Sequence, residues 1–370
     1  MQLTPELKAQ LAEQKKNCVF CKIVSKEMQG KVVFEDSATM ALLDIYPAVK
    51  GHTLFILKEH YPILPYVPAD EFRHFFWLVP SMAKAMKSAM VTLGLNVFIA
   101  SGGVAGQQAP HVMMHFMPRD EGDGFFNFLL KKGTITKEEQ KSILAYNLPL
   151  FMNDHFTKNP APWHQGAGEQ PAFLEKVYSS GTVLYEDEKL ICLLPAQGAV
   201  AGQVDIYPKA EERDIAKLSS EDSVHVFATA SMIASLLFEG LKAQGTNILL
   251  RSGRTDDYSE GRLSVSVFPR FPEDSLKGMI WEAKQPTYDL DGIASKIKDK
   301  MWNVRYAGEA VKEEKKAVVV KPVIEKIFES KNVPRPMTQE GQSLSAQERK
   351  TSALTPEEEI RIALEKVRGD

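Results

Sequence analysis

The chain has 370 residues, a formal net charge of -3 and a pI near 6.3, with 44% hydrophobic and 25% charged residues. This balance is typical of folded proteins in water, and the length is enough for two domains. The weak net charge argues against a general electrostatic grip on nucleic acid. Three cysteines are too few for a disulfide framework, and no uninterrupted apolar run is long enough for a bilayer, so we expect a cytoplasmic protein with no membrane partner.

The elements of the first half follow an α+β pattern. Residues 1–16 predict a short N-terminal helix, with Thr4 as its N-cap. Hydrophobic periodicity then predicts three strands, a long helix and two more strands. Their ranges are 31–35, 39–43, 53–57, 69–93, 96–100 and 111–117, with a glycine-rich loop at 101–106.

The second half repeats this pattern after a connector at 126–171. In the connector, Thr136 and Glu139 have capping-box spacing and predict a helix. The second domain is expected at 172–290, with a helix at 220–241 and a strand at 246–251. Residues 291–370 read as a charged, partly disordered tail with a final helix at 355–367, and a protein partner is possible through 305–370.

An internal repeat organises the chain, because one offset of 151 residues aligns two distant blocks without a gap. The first block pairs Val33-Phe34-Glu35-Asp36 with Leu184-Tyr185-Glu186-Asp187. The second pairs Ser101-Gly102 with Ser252-Gly253 and Pro118-Arg119 with Pro269-Arg270. The sequence therefore predicts two tandem copies of one domain, each an antiparallel sheet with a long helix.

The pair Cys18 and Cys21 has the spacing at which two thiolates reach one tetrahedral zinc ion. Zinc would need two further ligands, and His60 and His111 are the candidates. The alternative is that both cysteines are small buried residues.

A series of motifs over about residues 17–125 resembles the histidine-triad (HIT) superfamily. It comprises Cys18-Val19-Phe20-Cys21, Leu43-Asp44-Ile45-Tyr46-Pro47, Lys50-Gly51-His52-Thr53-Leu54, Lys58-Glu59-His60, Ala105-Gly106-Gln107 and His111-Val112-Met113-Met114-His115-Phe116-Met117-Pro118-Arg119. The family signature is three histidines that alternate with hydrophobic residues and face bound phosphates. The resemblance implies zinc as cofactor, with Cys18, Cys21, His60 and His111 as ligands.

The resemblance also implies a pocket for a purine nucleotide or a nucleotide conjugate. It places the base against Phe20 and Ile23, the ribose at Asp44 beside Ile45, and the phosphates at the loop and a histidine. The loop residues are Gly106, Gln107, Gln108 and Ala109, and the histidine is His115; His52 is also assigned to the nucleotide site. Asp44 has the alternative role of a turn residue, and His52 that of a packed residue at a strand start. Ala100 stands where many members have an asparagine.

The middle histidine of the signature is replaced by Met113. In the family this histidine attacks the α-phosphorus, which requires a basic nitrogen. A thioether cannot do so, and His115 is the remaining candidate nucleophile. The catalytic residue is therefore left unassigned.

The second copy lacks the same groups. The offset places Glu169, Ala172, Glu211 and Arg262 at the metal positions, Arg262, Ser264 and Ser266 at the triad positions, and Pro195 at the ribose carboxylate. Family members pair as homodimers, so we expect this copy to act as the partner in an intramolecular pseudo-dimer.

Arg251, Arg254 and Arg262 form either an anion site or a solvated basic face. Four histidines have no motif context and are expected on surfaces or helix faces (His74, His155, His164 and His225), and Cys192 in the core.

Three functions remain open. The first is a zinc-containing nucleotide-binding protein with reduced or lost nucleotidyl hydrolase activity. The second is an active hydrolase or transferase that acts on dinucleoside polyphosphates or adenylated compounds through an unfamiliar nucleophile. The third is a non-catalytic interaction scaffold.

Overall fold

The computed structural model describes residues 5–164 and 166–307, and Pro5–Tyr306 form one unit of it. The predicted cap at Thr4 and the predicted helix at 355–367 lie outside the described residues. The N-terminal helix is present as α1, Pro5–Asn17.

The first copy contains five strands and three helices after α1. A short helix α2 spans Val19–Val24. The strands are β1 Val32–Glu35, β2 Thr39–Leu43, β3 Thr53–Leu57, β4 Gly94–Ser101 and β5 Met113–Arg119. Between β3 and β4 lie α3, Ala69–Trp77, and α4, Val79–Met90.

The second copy repeats these five strands. A connecting helix α5, Glu138–Lys158, and a single turn α6, Glu175–Tyr178, precede it. Its elements are β6 Gly181–Glu186, β7 Leu190–Pro195, β8 Val204–Pro208, α7 Ser220–Gly240, β9 Gly245–Ser252 and β10 Ser264–Arg270. A last helix, α8, spans Leu290–Lys298.

All ten strands form one antiparallel sheet, in the order β1-β2-β3-β5-β4-β9-β10-β8-β7-β6. The two copies meet where β4 pairs with β9, and Phe98 lies opposite Leu249. Leu249 is the residue that the offset of 151 assigns to Phe98. The sheet is therefore continuous through a pseudo-twofold axis at this pair, which confirms the predicted α+β fold and intramolecular pseudo-dimer.

The long helices cover one face of the sheet, and the main hydrophobic core lies between these helices and the sheet. Helix α7 packs on α3, α5 and β10. Among the described residues, α7 is the helix whose length and composition would allow it to cross a membrane. Nine of its residues, among them Phe227, Ile233 and Leu237, are buried in the protein, as in the central helix of a folded core.

The single helix predicted at 69–93 is interrupted at Leu78. Pro80 lies in the first turn of α4 and has no N–H to donate to the carbonyl of Phe76. The hydroxyl of Ser223 on α7 donates to that carbonyl at 2.9 Å instead. A side chain of the second copy therefore supplies a hydrogen bond to the carbonyl at the helix break of the first copy.

The predicted cap of the connecting helix is wrong by one residue. Helix α5 has Lys137 at its N-cap, and the side chain of Gln140 accepts the Lys137 N–H at 3.4 Å. The hydroxyl of Thr136 accepts the N–H of Gly202 at 2.9 Å, so Thr136 ties the connector to the second copy.

The tail predicted from residue 291 begins too early. Helix α8 packs against α4 and β1 of the first copy, with Ile293 and Ile297 buried. Met301 and Val304 are also buried, and the Tyr306 ring stacks on His74 with 4.1 Å between centroids. Folded structure therefore continues at least to Tyr306.

Candidate functional site

Four potential metal ligands from three parts of the first copy converge on one point. The Cys18, Cys21, His60 and His111 donor atoms all lie within 4.8 Å of one another. The Nδ1 atom of His60 lies 3.3 Å from the Cys21 sulfur, and that of His111 lies 3.5 Å from the Cys18 sulfur. Sulfur and nitrogen at two corners of a zinc tetrahedron are about 3.6 Å apart, given bonds of about 2.3 and 2.0–2.1 Å.

The local structure explains this convergence. Cys18 is the N-cap of α2 and Cys21 is three residues along, so one helical turn brings the sulfurs together. The Nε2–H of His111 donates to the carbonyl of Leu57 at 2.8 Å, which leaves the Nδ1 lone pair directed at the sulfurs. His111 lies just before β5 and does not open it, so the predicted strand start at 111 is wrong.

Burial disfavours the charged forms of two of these side chains, the Cys21 thiolate and the His111 imidazolium. It raises the pKa of the Cys21 thiol to about 12, with the Cys18 thiol adding to the shift, and lowers the pKa of His111 to about 4. The Nε2 atom of His60 is buried without a hydrogen-bond partner among the described residues. Two sulfur and two imidazole donors, three of them on buried residues and all close together, fit a tetrahedral zinc ion.

Beside this cluster lies a cavity of about 390 Å³. That volume is within the range of about 300–1,000 Å³ that ligand pockets occupy. Met113 lines this cavity. All residues predicted to hold the nucleotide, except His52, line it too. These are Phe20, Ile23, Asp44, Ile45, Gly106, Gln107, Gln108, Ala109 and His115.

His52 lies behind His115 and fixes its protonation. The N–H of Ala48 donates to Nδ1 of His52 at 3.1 Å, so the proton of His52 is on Nε2. That atom lies 3.0 Å from Nδ1 of His115 and donates to it. The neutral His115 ring therefore carries its own proton on Nε2, as a hydrogen-bond donor.

Burial keeps both imidazoles neutral, because it lowers the pKa of His52 and of His115 to about 3. Asp44 accepts the N–H of Tyr46 at 2.8 Å, and its second oxygen lies 3.3 Å from His52 Nδ1. Burial raises the pKa of Asp44 above its ordinary value. Asp44 thus has the turn role considered as an alternative and also faces the cavity.

The glycine-rich loop presents backbone to the cavity. Gly106 has a φ of +87°, a left-handed conformation that favours glycine. The Gln107 side chain accepts the N–H of Gly102 at 2.8 Å and donates to the carbonyl of Pro62 at 2.7 Å. The Gln107 amide therefore shapes the loop through both its oxygen and its nitrogen.

Comparison with known proteins assigns the chain to a family. A family model described as the HIT domain matches residues 25–122. An uncharacterized HIT-like protein of Methanocaldococcus jannaschii is 43% identical over 107 residues, which are 29% of this chain and 82% of that protein. The chain belongs to the HIT family.

Two further proteins are similar to this chain. The chain is similar to the adenylylsulfatase HINT3 of Arabidopsis thaliana, with 35% identity over 107 residues, 29% of this chain and 54% of that protein. It is also similar to the crystal structure of a zinc-bound histidine triad family protein from Mycobacterium smegmatis. That match has 33% identity and a TM-score of 0.29, and covers 30% of this chain and 81% of the other.

The HIT signature strand here is β5, and Met113 and His115 lie on its cavity face. Met113 also packs against the small apolar cluster formed by Met40, Leu42, Leu54 and Ile56. Ala100 lines the cavity without offering a polar atom. The methionine is thus a packed part of the HIT pocket wall.

A residue that sequence reasoning missed covers the HIT pocket from the second copy. The Trp281 ring contacts both imidazoles edge-on, with centroids 5.4 Å from His52 and 5.3 Å from His115. Ile280 packs so closely on Gly106 that a Cβ there would lie 2.4 Å from it. A segment after the last strand gives no motif, so the sequence offered no signal for this contact.

A duplicated His–Asp pair was also missed. His74 lies 2.7 Å from Asp36 through Nε2, and His225 lies 2.9 Å from Asp187. Both histidines lie in helices and are buried, so of the two expected locations, surface or helix face, the surface is wrong for them. The signal was available, because the offset of 151 aligns both members of one pair with the other.

Proposed function

We propose that this protein is a zinc-containing nucleotide-binding member of the HIT family in which nucleotidyl transfer is blocked at Met113. The observation that carries the proposal is the composition of the cavity of about 390 Å³. Its walls retain apolar, carboxylate and imidazole groups for base, ribose and phosphate. At the place of the attacking histidine they offer a thioether.

The bound nucleotide is proposed to contact three groups of residues. Phe20 and Ile23 form an apolar slot that suits a base, and the Asp44 carboxylate can accept two vicinal ribose hydroxyls. In the loop, the N–H groups of Gly106 and Gln107 donate to the carbonyls of Gly103 and Gly102, so the phosphate is proposed to contact the N–H groups of Gln108 and Ala109. The Nε2–H of His115 adds a neutral donor to the same phosphate.

His115 is a poor substitute for the missing nucleophile. Attack on phosphorus needs a nitrogen lone pair, and the His52 hydrogen bond occupies the lone pair at Nδ1. The other nitrogen carries the proton. Removing either feature would require breaking a buried hydrogen bond that Ala48 also supports.

The zinc ion is proposed to be held by Cys18, Cys21, His60 and His111. With four protein ligands it would have no open position, so its contribution is structural. It would join α2, which lines the base slot, to the ends of β3 and β5. Because the site requires reduced thiols, we keep the cytoplasm as the proposed location.

An active enzyme is the second candidate. The observation that favours it is the likeness to a plant relative named for adenylylsulfate cleavage, together with a cavity that keeps the ribose and phosphate positions. Adenosine 5′-phosphosulfate is therefore the substrate to test first, and release of AMP and sulfate would be the signal. The scaffold alternative, including a partner for residues 305–370, predicts neither nucleotide binding nor AMP release.

Calorimetric titration with AMP and 2′-deoxy-AMP tests binding at the proposed ribose site. The unmodified protein should bind AMP about tenfold or more tightly than the deoxynucleotide, because a hydrogen bond to a charged group contributes about 1.5–3 kcal/mol. Asp44→Asn should reduce that preference to a few-fold. Glu273→Gln, an exposed carboxylate of the second copy, is the matched control. If millimolar AMP gives no heat, the nucleotide proposal is wrong and the scaffold alternative gains.

A further inference from the structure

A second, smaller cavity lies in the second copy at the place that pseudo-symmetry assigns to the nucleotide cavity. Its volume is about 190 Å³. Ser264 and Ser266 line it where the first copy has Met113 and His115. Leu129 and Leu130, at the start of the connector, cover it, as Ile280 and Trp281 cover the first cavity. The offset of 151 relates each of these pairs.

The second cavity contains a buried arginine in place of Ala100. Arg251 is only 9% exposed, and no described carboxylate lies within 4.0 Å of its guanidinium. Its Nη1 donates to the Ser266 hydroxyl at 3.2 Å and its Nη2 to the Phe128 carbonyl at 3.4 Å. Its Nε has no partner among the described residues. A buried cation held only by neutral groups is costly, which calls for a counterion.

The described carboxylates that line the cavity form no ion pair with Arg251 within 4.0 Å. Asp257 is taken by Arg119, at 3.2 Å, and by the Thr255 hydroxyl. Asp205 accepts a hydrogen bond from Gln203 and forms no ion pair with Arg251 within 4.0 Å; burial raises its pKa, and the nearby Arg251 partly offsets that rise. Glu260 is exposed to solvent.

Hydroxyl groups surround the same space. Tyr258 and Ser264 lie 3.1 Å apart through their oxygens, and Ser266 adjoins Arg251. Hydroxyls donate readily to an oxyanion and need no change of charge to do so. Lys132 also lines the cavity and adds a second positive group.

The three arginines considered together in the sequence are separated in the structure. Arg251 alone of the three lines this cavity. Arg254 is exposed, and Arg262 lies over the Phe173 ring at 5.3 Å. A broad basic face is therefore not formed, and the anion chemistry is concentrated at one buried side chain.

We propose that this cavity binds a small oxyanion, a phosphate or a carboxylate, through the guanidinium of Arg251 and the hydroxyls of Ser264 and Ser266. The volume of about 190 Å³ is below the range of about 300–1,000 Å³ for drug-sized ligands, so a whole nucleotide is excluded. The second copy is then a separate ligand-binding domain of the chain. This proposal does not depend on the first cavity binding a nucleotide.

The test is calorimetric titration of the full chain with inorganic phosphate and, separately, with acetate, at constant ionic strength and with AMP present and absent. We expect binding of at least one anion, and the tighter of the two identifies the ligand chemistry. Arg251→Met keeps much of the buried stem and should weaken that binding at least tenfold. Arg254→Met, three residues away and exposed, is the matched control and should bind as the unmodified protein does.

Two outcomes overturn the proposal. One is that neither anion binds at about ten millimolar, and the other is that Arg251→Met binds as tightly as the unmodified protein. If Arg251→Met does not fold, Ser264→Ala and Ser266→Ala provide the test, and each should weaken binding several-fold. Unchanged affinity in both serine variants would equally contradict the site. AMP binding at the first cavity should be unaffected by any of these changes.

Discussion

His52 donates a hydrogen bond from Nε2 to Nδ1 of His115 across 3.0 Å, and both rings are held neutral by burial. The corresponding residues of the second copy are Gln203 and Ser266. Gln203 accepts the Ala199 N–H at 2.7 Å, as His52 accepts that of Ala48. The fold therefore tolerates an amide at this position, and the imidazole of the first copy serves the cavity.

This relationship predicts the acid sensitivity of the fold. His52 and His115 stay neutral in the folded chain above a pH of about 3, whereas unfolded histidines bind a proton below about 6.5. Between these limits the unfolded state binds more protons, so the free energy of unfolding falls as the pH falls. Each proton contributes at most about 1.4 kcal/mol per pH unit.

His52→Gln, which copies Gln203, should therefore make the pH dependence shallower by up to one proton while the chain still folds at neutral pH. Urea denaturation at a series of pH values between about 4 and 7 measures this slope. A variant whose stability falls with acid as steeply as that of the unmodified protein would show that His52 is not buried in its neutral form.

Trp281 is expected to exclude water from the histidine pair. Trp281→Ala removes the ring that contacts His52 and His115, so the pKa of His115 should rise from about 3 towards its ordinary value of about 6.5. NMR titration of the imidazole signals measures this shift. Trp302→Ala, at a tryptophan that is 74% exposed, is the control and should leave it unchanged. An unaltered pKa in Trp281→Ala would refute the covering role.

The proposed metal site predicts about one zinc per chain. Cys21→Ser should lose most of the metal and lower the melting temperature, because zinc bound only to the folded state stabilises it. Cys192→Ser changes a cysteine that is buried in β7 as predicted, and it should keep full zinc content. Elemental analysis and thermal unfolding are the measurements. Full zinc in Cys21→Ser, or equal stability after chelation, would contradict the four-ligand assignment.

The duplicated His–Asp pairs predict a structural effect without a functional one. In Asp187→Asn the carboxylate that joins His225 and Tyr185 is lost, since both groups lie 2.9 Å from the same oxygen. We expect a loss of about 1–3 kcal/mol in the free energy of unfolding, the cost of an unsatisfied buried group, with AMP affinity unchanged. Urea denaturation and AMP titration check both parts. A large loss of AMP affinity in a stable variant would assign the pair to the binding site.

Much of the architecture was predictable because it is periodic or repeated. The strands at 39–43 and 53–57 match β2 and β3. The offset of 151 predicted the two copies, and the resemblance to the HIT family implied that they pair. The break at Leu78 was missed, since Pro80 is compatible with a helix start as well as with a helix end. The partner that makes the break stable, Ser223, is distant in sequence.

The site was predictable where residue types imply chemistry. Motifs identified Cys18, Cys21 and the residues proposed to hold the nucleotide. The structure places the cysteines in the candidate metal cluster and most of the other residues in the wall of the adjoining cavity. Trp281 was not assigned, and Arg251 was considered only as one of three arginines that form either an anion site or a solvated basic face. The roles of both depend on contacts and burial that only the folded pseudo-dimer creates. Gln107 was assigned to phosphate by position, but its amide is held by Gly102 and Pro62.

The central claim is that Met113 leaves a nucleotide pocket without a nucleophile. It is tested most directly by comparing the unmodified protein with Met113→His in an assay of AMP release from adenosine 5′-phosphosulfate and an adenosine phosphoramidate. We predict that both proteins bind AMP and that only Met113→His releases it from either substrate at a rate clearly above the uncatalysed reaction. Release by the unmodified protein at a rate that Met113→His does not exceed would contradict the account.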